Sequence, residues 1–180
     1  MNEKLKEVLS TSIYLLIVLL LSYLFVHYVG QRTLVNGESM EDTLQDGDNL
    51  LVDKISYRFD DPERFDVIVF KYTHKDNTYY VKRVIGLPGE TVQIDNTGSI
   101  YINGNLLEEH YGTETIKDPG IAAAPITLGE DEFFVLGDNR NNSADSRMEQ
   151  VGNIDRKIIV GRAWVRIWPL HNAGKVEDIK

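Results

Sequence analysis

From Val8 to Gly30 the chain carries no Asp, Glu, Lys or Arg, and "IYLLIVLLLSYLFV" forms the middle of that stretch. At about 1.5 Å per residue a helix over 8–30 reaches about 34 Å, enough to cross a hydrocarbon core of about 30 Å with some tilt. The run is apolar on every face, so a soluble fold would have to bury it completely, and 180 residues are too few to do so. A cleavable targeting signal would have an apolar region of roughly 7–15 residues with a small-x-small end. This run is longer and ends in "VHYVGQRTL". The pattern predicts a transmembrane helix over 8–30, a short N-terminus at 1–7 and a folded domain at 31–180. Lys4 and Lys6 precede the helix and only Arg32 follows closely, a bias that favours a cytoplasmic N-terminus and a domain outside the cytoplasm.

Beyond Arg32 the apolar residues fall in short runs, among them "NLLVDKISY", "DVIVFKY", "TYYVKRVIG", "EFFVLGD" and "KIIVGRAWVRIW", each rich in Val, Ile, Tyr or Phe and bounded by Gly, Asn, Asp or Pro. Such runs read as strands. "DNTGS" and "NGN" between them carry the signals of tight hairpin turns. The domain is expected to be all-β with antiparallel sheets. The stretch from Glu108 to Glu130 has no sustained period and is expected to be a surface loop or an insertion. A formal charge of −9 without a basic block argues against a nucleic-acid partner. The lack of cysteine removes disulfides, thiolate metal sites and a cysteine nucleophile.

Two polar stretches could carry chemistry. In "TYYVKRVIG" strand alternation puts Lys82 on one face with Tyr80 and Val84, and Arg83 on the other, so one of two adjacent cations must point inward. Lys82 either snorkels past its neighbours to water or is desolvated, which lowers the pKa of its ammonium and makes it a potential base. The second stretch is "VLGDNRNNSADSR", Val135 to Arg147. It reads either as a polar turn or as a set of short side chains able to orient another group. Asp138, Asn142 and Glu149 fall at calcium-loop positions, but Arg140 and Ser143 break that pattern. His27, His74, His110 and His171 form no spaced pair, which speaks against zinc.

With "GESMEDTL", Gly37 to Leu44, these stretches complete an ordered set: "GESMEDTL", "RFDVIVF", "VKRVIGLPGE" and "GDNRNNSADSR" behind one N-terminal membrane helix. The set resembles the type I bacterial signal peptidases, membrane-anchored Ser/Lys proteases, and the compact form looks like the short enzymes of Gram-positive bacteria. The resemblance implies Ser39 as nucleophile, its own backbone N–H as oxyanion donor, and Lys82 as general base. It also implies Ser143 hydrogen-bonded to the lysine amine, an Asp145–Arg147 ion pair in support, and Asp138 among the supporting residues. Met40, Tyr80 and Val84 are expected to give the apolar pocket. Where some members add a serine hydroxyl to the oxyanion site, this chain has Gly37. Three departures stand out: Asp42 for a usual proline, Phe65 for a usual glycine and Asn141 for a common aspartate.

A free lysine is neutral only about once in 2500 molecules at pH 7, so the implied role requires a desolvated amine with a pKa near 8. The implied substrate is an exported preprotein, cut after a small-x-small motif at the outer membrane surface, with the lipid bilayer as the other partner and no metal or organic cofactor. The oligomeric state is not legible. Self-cleaving Ser/Lys repressors share the dyad but lack an anchor, and a catalytically silent homologue acting in binding or pilus assembly would not need Ser39, Lys82, Ser143 and Asp145 intact. The chain also contains small-x-small itself, at Ala122 and Ala124, followed by Pro125. The proline is expected to protect that bond, and Pro125→Ala to expose it to self-cleavage.

Overall fold

The computed structural model describes residues 3–25, 30–112 and 114–176. Helix α1 spans Glu3–Leu24. It begins ahead of the apolar run, because Glu3, Lys4, Lys6 and Glu7 are good helix formers. Its Lys6–Leu24 stretch is long and apolar enough to cross a membrane, and none of it is buried against the rest of the chain. His27 lies outside the described residues, and Gly30 already belongs to the first strand.

Among the described residues twelve strands follow: β1 (Gly30–Leu34), β2 (Asn49–Asp53), β3 (Val67–Lys71), β4 (Tyr79–Gly86), β5 (Thr91–Ile94), β6 (Ile100–Ile102), β7 (Asn105–Leu106), β8 (Ile126–Thr127), β9 (Glu132–Leu136), β10 (Ile154–Asp155), β11 (Ile159–Trp168) and β12 (Gly174–Lys175). The larger sheet has the order β1-β2-β11-β3-β4-β9-β10 with β12 beside β11, and the smaller sheet the order β7-β6-β5-β8. Neighbours pair antiparallel, as in β3–β4, where Ile68 faces Lys82, and β4–β9, where Arg83 faces Leu136. The turn expected at "NGN" forms with Asn103 and Gly104 both at positive φ, the backbone that a two-residue hairpin needs.

Strand β4 runs through the middle of the larger sheet and is covered on both sides. Tyr80 and Val84 pack with Phe70, Phe133 and Val135, whereas Val81 packs with Met40, Leu44 and Val52. This double cover buries both adjacent cations, Lys82 at 3% exposure and Arg83 at 2%, in place of the single inward cation that alternation alone suggests.

Glu108 to Glu130, expected to be a surface loop or an insertion, is more than a surface loop in its described residues. Ile116, Ala122 and Leu128 are buried in the core of the smaller sheet, a 3-10 turn covers Gly120–Ala123, and β8 pairs with β5. The elements are two to four residues long, too short to leave a period in the sequence. The change bears on Ala122 and Ala124. Ala122 has no exposed surface, its N–H donates to Pro119 O, and the neighbouring Ile121 N–H donates to Arg147 O. An extended small-x-small segment therefore cannot be presented without unfolding this corner, whatever follows Ala124. The expected result for Pro125→Ala is an intact chain: mass spectrometry of aged protein should reveal no fragment ending at Ala124 that disappears in the Ser39→Ala background.

Candidate active site

Three segments meet at one end of the larger sheet. The first is the turn after β1, where Glu41 N–H donates to Glu38 O and Leu44 N–H to Met40 O, so that Ser39 sits at the start of a tight turn with Met40 fully buried beneath it. The second is β4, which carries Lys82. The third is the loop after β9, which carries Asp138, Ser143, Asp145 and Arg147. Asn139 N–H donates to Ser39 O at 3.1 Å, joining the first to the third.

Lys82 Nζ and Ser39 Oγ are hydrogen-bonded at 2.6 Å, and Nζ also donates to Val81 O at 3.0 Å. The amine lies 5.2 Å from the centre of the Tyr80 ring. Burial lowers the Lys82 pKa to about 8, because the ammonium loses its water, while the carboxylates of Asp145 and Asp138 oppose the shift. The geometry thus brings a hydroxyl and an amine that is partly neutral near neutral pH into direct contact. Such a pair can move a proton from oxygen to nitrogen.

Around this contact the charges are paired. Arg147 Nε donates to Asp145 Oδ1 at 2.8 Å and Nη2 to Asp145 Oδ2 at 2.9 Å, with Asp145 completely buried. Asp145 also accepts from Gly137 N–H at 3.1 Å. Asp138 takes two bonds from Arg83, at 2.8 and 2.7 Å, and one from Thr43 Oγ1 at 2.6 Å. Arg83 therefore ties β4 to both loops, and its guanidinium is capped by the Tyr111 ring at 3.7 Å. A lone buried charge would be severely destabilising, whereas a fully bonded pair holds its neighbours in one arrangement.

Two expected placements come out differently. Ser143 Oγ is buried without a hydrogen-bond partner and does not bond the lysine amine, which spends its bonds on Ser39 and Val81. Val84 belongs to the core below the sheet and does not line the groove, whereas Met40 and Tyr80 do. That groove, of about 540 Å³, runs past Ser39 and Lys82 between segment 33–40 and the start of β4.

The departures have local reasons. Asp42 has φ +79°, a value the pyrrolidine ring of a proline cannot reach. Phe65 has φ +76°, the left-handed backbone a glycine adopts freely; a bulky residue there stores about 1–3 kcal/mol of strain. Its ring packs on Tyr111 at 5.1 Å and its carbonyl accepts from Arg83. Asn141 donates to Glu114 Oε2 and Thr115 O while accepting from Lys117 N–H, whereas an aspartate could only accept and would repel Glu114.

The roles of Arg83, Thr43, Gly137 and of the pair Arg140–Glu109, bonded at 2.5 and 3.0 Å, emerge only in the structure. Arg83 was within reach of the sequence, since a cation next to an inward lysine in a central strand also needs a partner. Glu109 was not, because nothing local links it to Arg140.

The family described as Signal peptidase, peptidase S26, matches residues 6–168. A probable signal peptidase I-2 of Synechocystis is 40% identical over 84% of this chain and 69% of its own length. A signal peptidase I of Leptolyngbya laminosa is 44% identical over 83% and 74%, and signal peptidase I P of Bacillus subtilis subsp. natto is 37% identical over 87% and 86%. The chain belongs to the signal peptidase family, peptidase S26. Its activity is that of a signal peptidase I, and its apolar N-terminal helix fits membrane anchoring.

Proposed function

We propose that the protein cleaves exported preproteins after a small-x-small motif, with Ser39 as nucleophile and Lys82 as its general base, on the outer face of the membrane that α1 crosses with its N-terminus in the cytoplasm. The observation that carries this reading is the 2.6 Å contact between Ser39 Oγ and a buried Lys82 Nζ. In the neutral amine the Ser39 hydroxyl donates to nitrogen. As Oγ attacks the scissile carbonyl, its proton passes to Nζ and the carbonyl oxygen gains negative charge. The Ser39 backbone N–H, which makes no hydrogen bond among the described residues, is the donor for that oxygen. Nζ then returns the proton to the leaving amine, and an ester remains on Ser39. A water that gives its proton to Lys82 hydrolyses the ester and frees the signal peptide's new C-terminus. Ser143, whose hydroxyl lacks a partner, takes up an amine N–H once Ser39 is acylated and no longer bonds it. The Asp145–Arg147 and Asp138–Arg83 pairs keep the two loops in register with β4.

The test is to incubate the detergent-solubilised protein with a preprotein and sequence the new N-terminus across a pH series. Cleavage is expected directly after small-x-small, with kcat/KM rising on a single ionisation near 8, where the lysine becomes neutral. A rising limb centred near 10 would assign the base to another group.

A further inference from the structure

The groove beside Ser39 and Lys82 is longer than a small-x-small motif needs. An extended chain running alongside residues 77–82 advances about 17 Å, room for about five substrate residues ahead of the scissile bond. Its far end is formed by Thr33 and Leu34 of β1 and by Lys75 and Asn77 of the β3–β4 hairpin. Strand β1 is the first strand after α1, so this end of the groove is formed by the part of the domain nearest in sequence to the apolar helix.

The hairpin tip is held firmly. Tyr72 N–H donates to Thr78 O at 2.8 Å, the Tyr72 and Tyr80 rings stack at 4.6 Å and 12°, and Asn77 makes the turn at φ +50°. Lys75 is exposed there and has no ion pair or hydrogen bond among the described residues. The other charged side chains of the groove are occupied: Glu38 accepts from Asn142, and Lys82 bonds Ser39.

A substrate threaded with its small-x-small segment at Ser39 brings the end of its apolar helix to this mouth. That helix is obligatory in the bilayer, and its last turn leaves carbonyls unpaired and carries partial negative charge. We propose that Lys75 binds the C-terminal turn of the substrate's apolar helix by donating to those carbonyls, and so helps set how far beyond the helix the cut falls. This rests on the Ser39/Lys82 reading for the direction of the substrate.

Lys75→Met, Lys75→Glu and Lys75→Arg are compared in nonionic detergent on a full preprotein and on a short peptide holding only the small-x-small segment and the residues after it. Lys75→Met should lower kcat/KM for the preprotein about three- to fivefold through KM, and Lys75→Glu about tenfold, with Lys75→Arg close to unaltered. All three should cut the short peptide at the unaltered rate. Equal losses on both substrates, or none on either, would overturn the proposal. So would a loss confined to vesicles of anionic lipid, which would assign Lys75 to headgroups. Preprotein binding by fluorescence anisotropy in the Ser39→Ala background gives a readout free of cleavage. The same ordering of affinities is expected there, and equal affinity for all Lys75 variants sinks the idea even if Ser39 and Lys82 act as described.

Discussion

Replacing Lys82 with methionine is expected to abolish cleavage and, at pH 7, to make the folded domain harder to unfold. The amine is almost fully buried, and its folded pKa of about 8 lies below the 10.5 of an unperturbed lysine. Between those values the unfolded chain binds more protons than the folded one, so stability rises with pH from about 8 to about 10.5; below about 8 the full penalty of holding the charge remains. A shift of that size corresponds to about 3 kcal/mol, from which the lost bond to Ser39 subtracts, leaving roughly 2 kcal/mol of stabilisation for the methionine variant at pH 7. Urea unfolding of both proteins at pH 7 and at pH 10 checks this: the gap should narrow at the higher pH. Lys82→Arg should lose cleavage and, at pH 10, be less stable than the unaltered protein, because the guanidinium stays charged where the buried lysine has become neutral. Retained cleavage by the arginine variant would remove Lys82 from the role of base, and equal stability of the methionine variant at pH 7 would mean that the amine is not desolvated.

Gly137→Ala is expected to lower kcat about 100-fold with little change in KM. A Cβ at Gly137 would stand 2.2 Å from Ser143 Oγ and 2.4 Å from the Ser39 carbonyl oxygen, where real contacts stay beyond 3.0 Å. The backbone of Ser39 must therefore move, and with Ser39 as the proposed nucleophile a displacement near 1 Å carries a loss of about that size. Most of the groove is formed by residues that do not touch Gly137, so binding is spared. Circular dichroism should find the variant folded. Full activity would show that Ser39 tolerates the shift and that its placement is looser than the geometry indicates.

What could be read ahead of the structure divides along a physical line. The apolar N-terminal helix and the larger sheet were legible because each carries a local pattern, continuous in one case and short and β-branched in the other. Ser39 and Lys82 stood in distinct motifs, and alternation required one of the cations Lys82 and Arg83 to point inward without saying which; both are buried. Thr43 was not legible as a partner of Asp138, since the bond joins residues 95 positions apart. The same holds for Arg166, buried against Asp48 behind the turn that carries Ser39. The buried corner at Ala122 was misread because its elements are shorter than any window in which a period can be counted. Phe65 and Asp42 looked like defects of pattern; the positive φ of Asp42 accounts for the absent proline, and Phe65, also at positive φ, packs its ring against Tyr111.

The pairing of β4 with β9 bears on how such an enzyme changes size. The chain leaves the larger sheet at Gly86 and returns at Glu132, in strands that are already neighbours, with Gly86 opposite Phe134. Everything between is an excursion whose ends are clamped by the sheet that carries Lys82. Lengthening such a segment adds little closure entropy, because that cost grows only with the logarithm of length. Glu109, Glu114 and Ile121 are fastened to the loop after β9 through Arg140, Asn141 and Arg147, whereas the turn at Asn103–Gly104 is exposed and its glycine has open space around it. That turn is where the protein can acquire a new subdomain, a tag or a docking module while its chemistry stays in place.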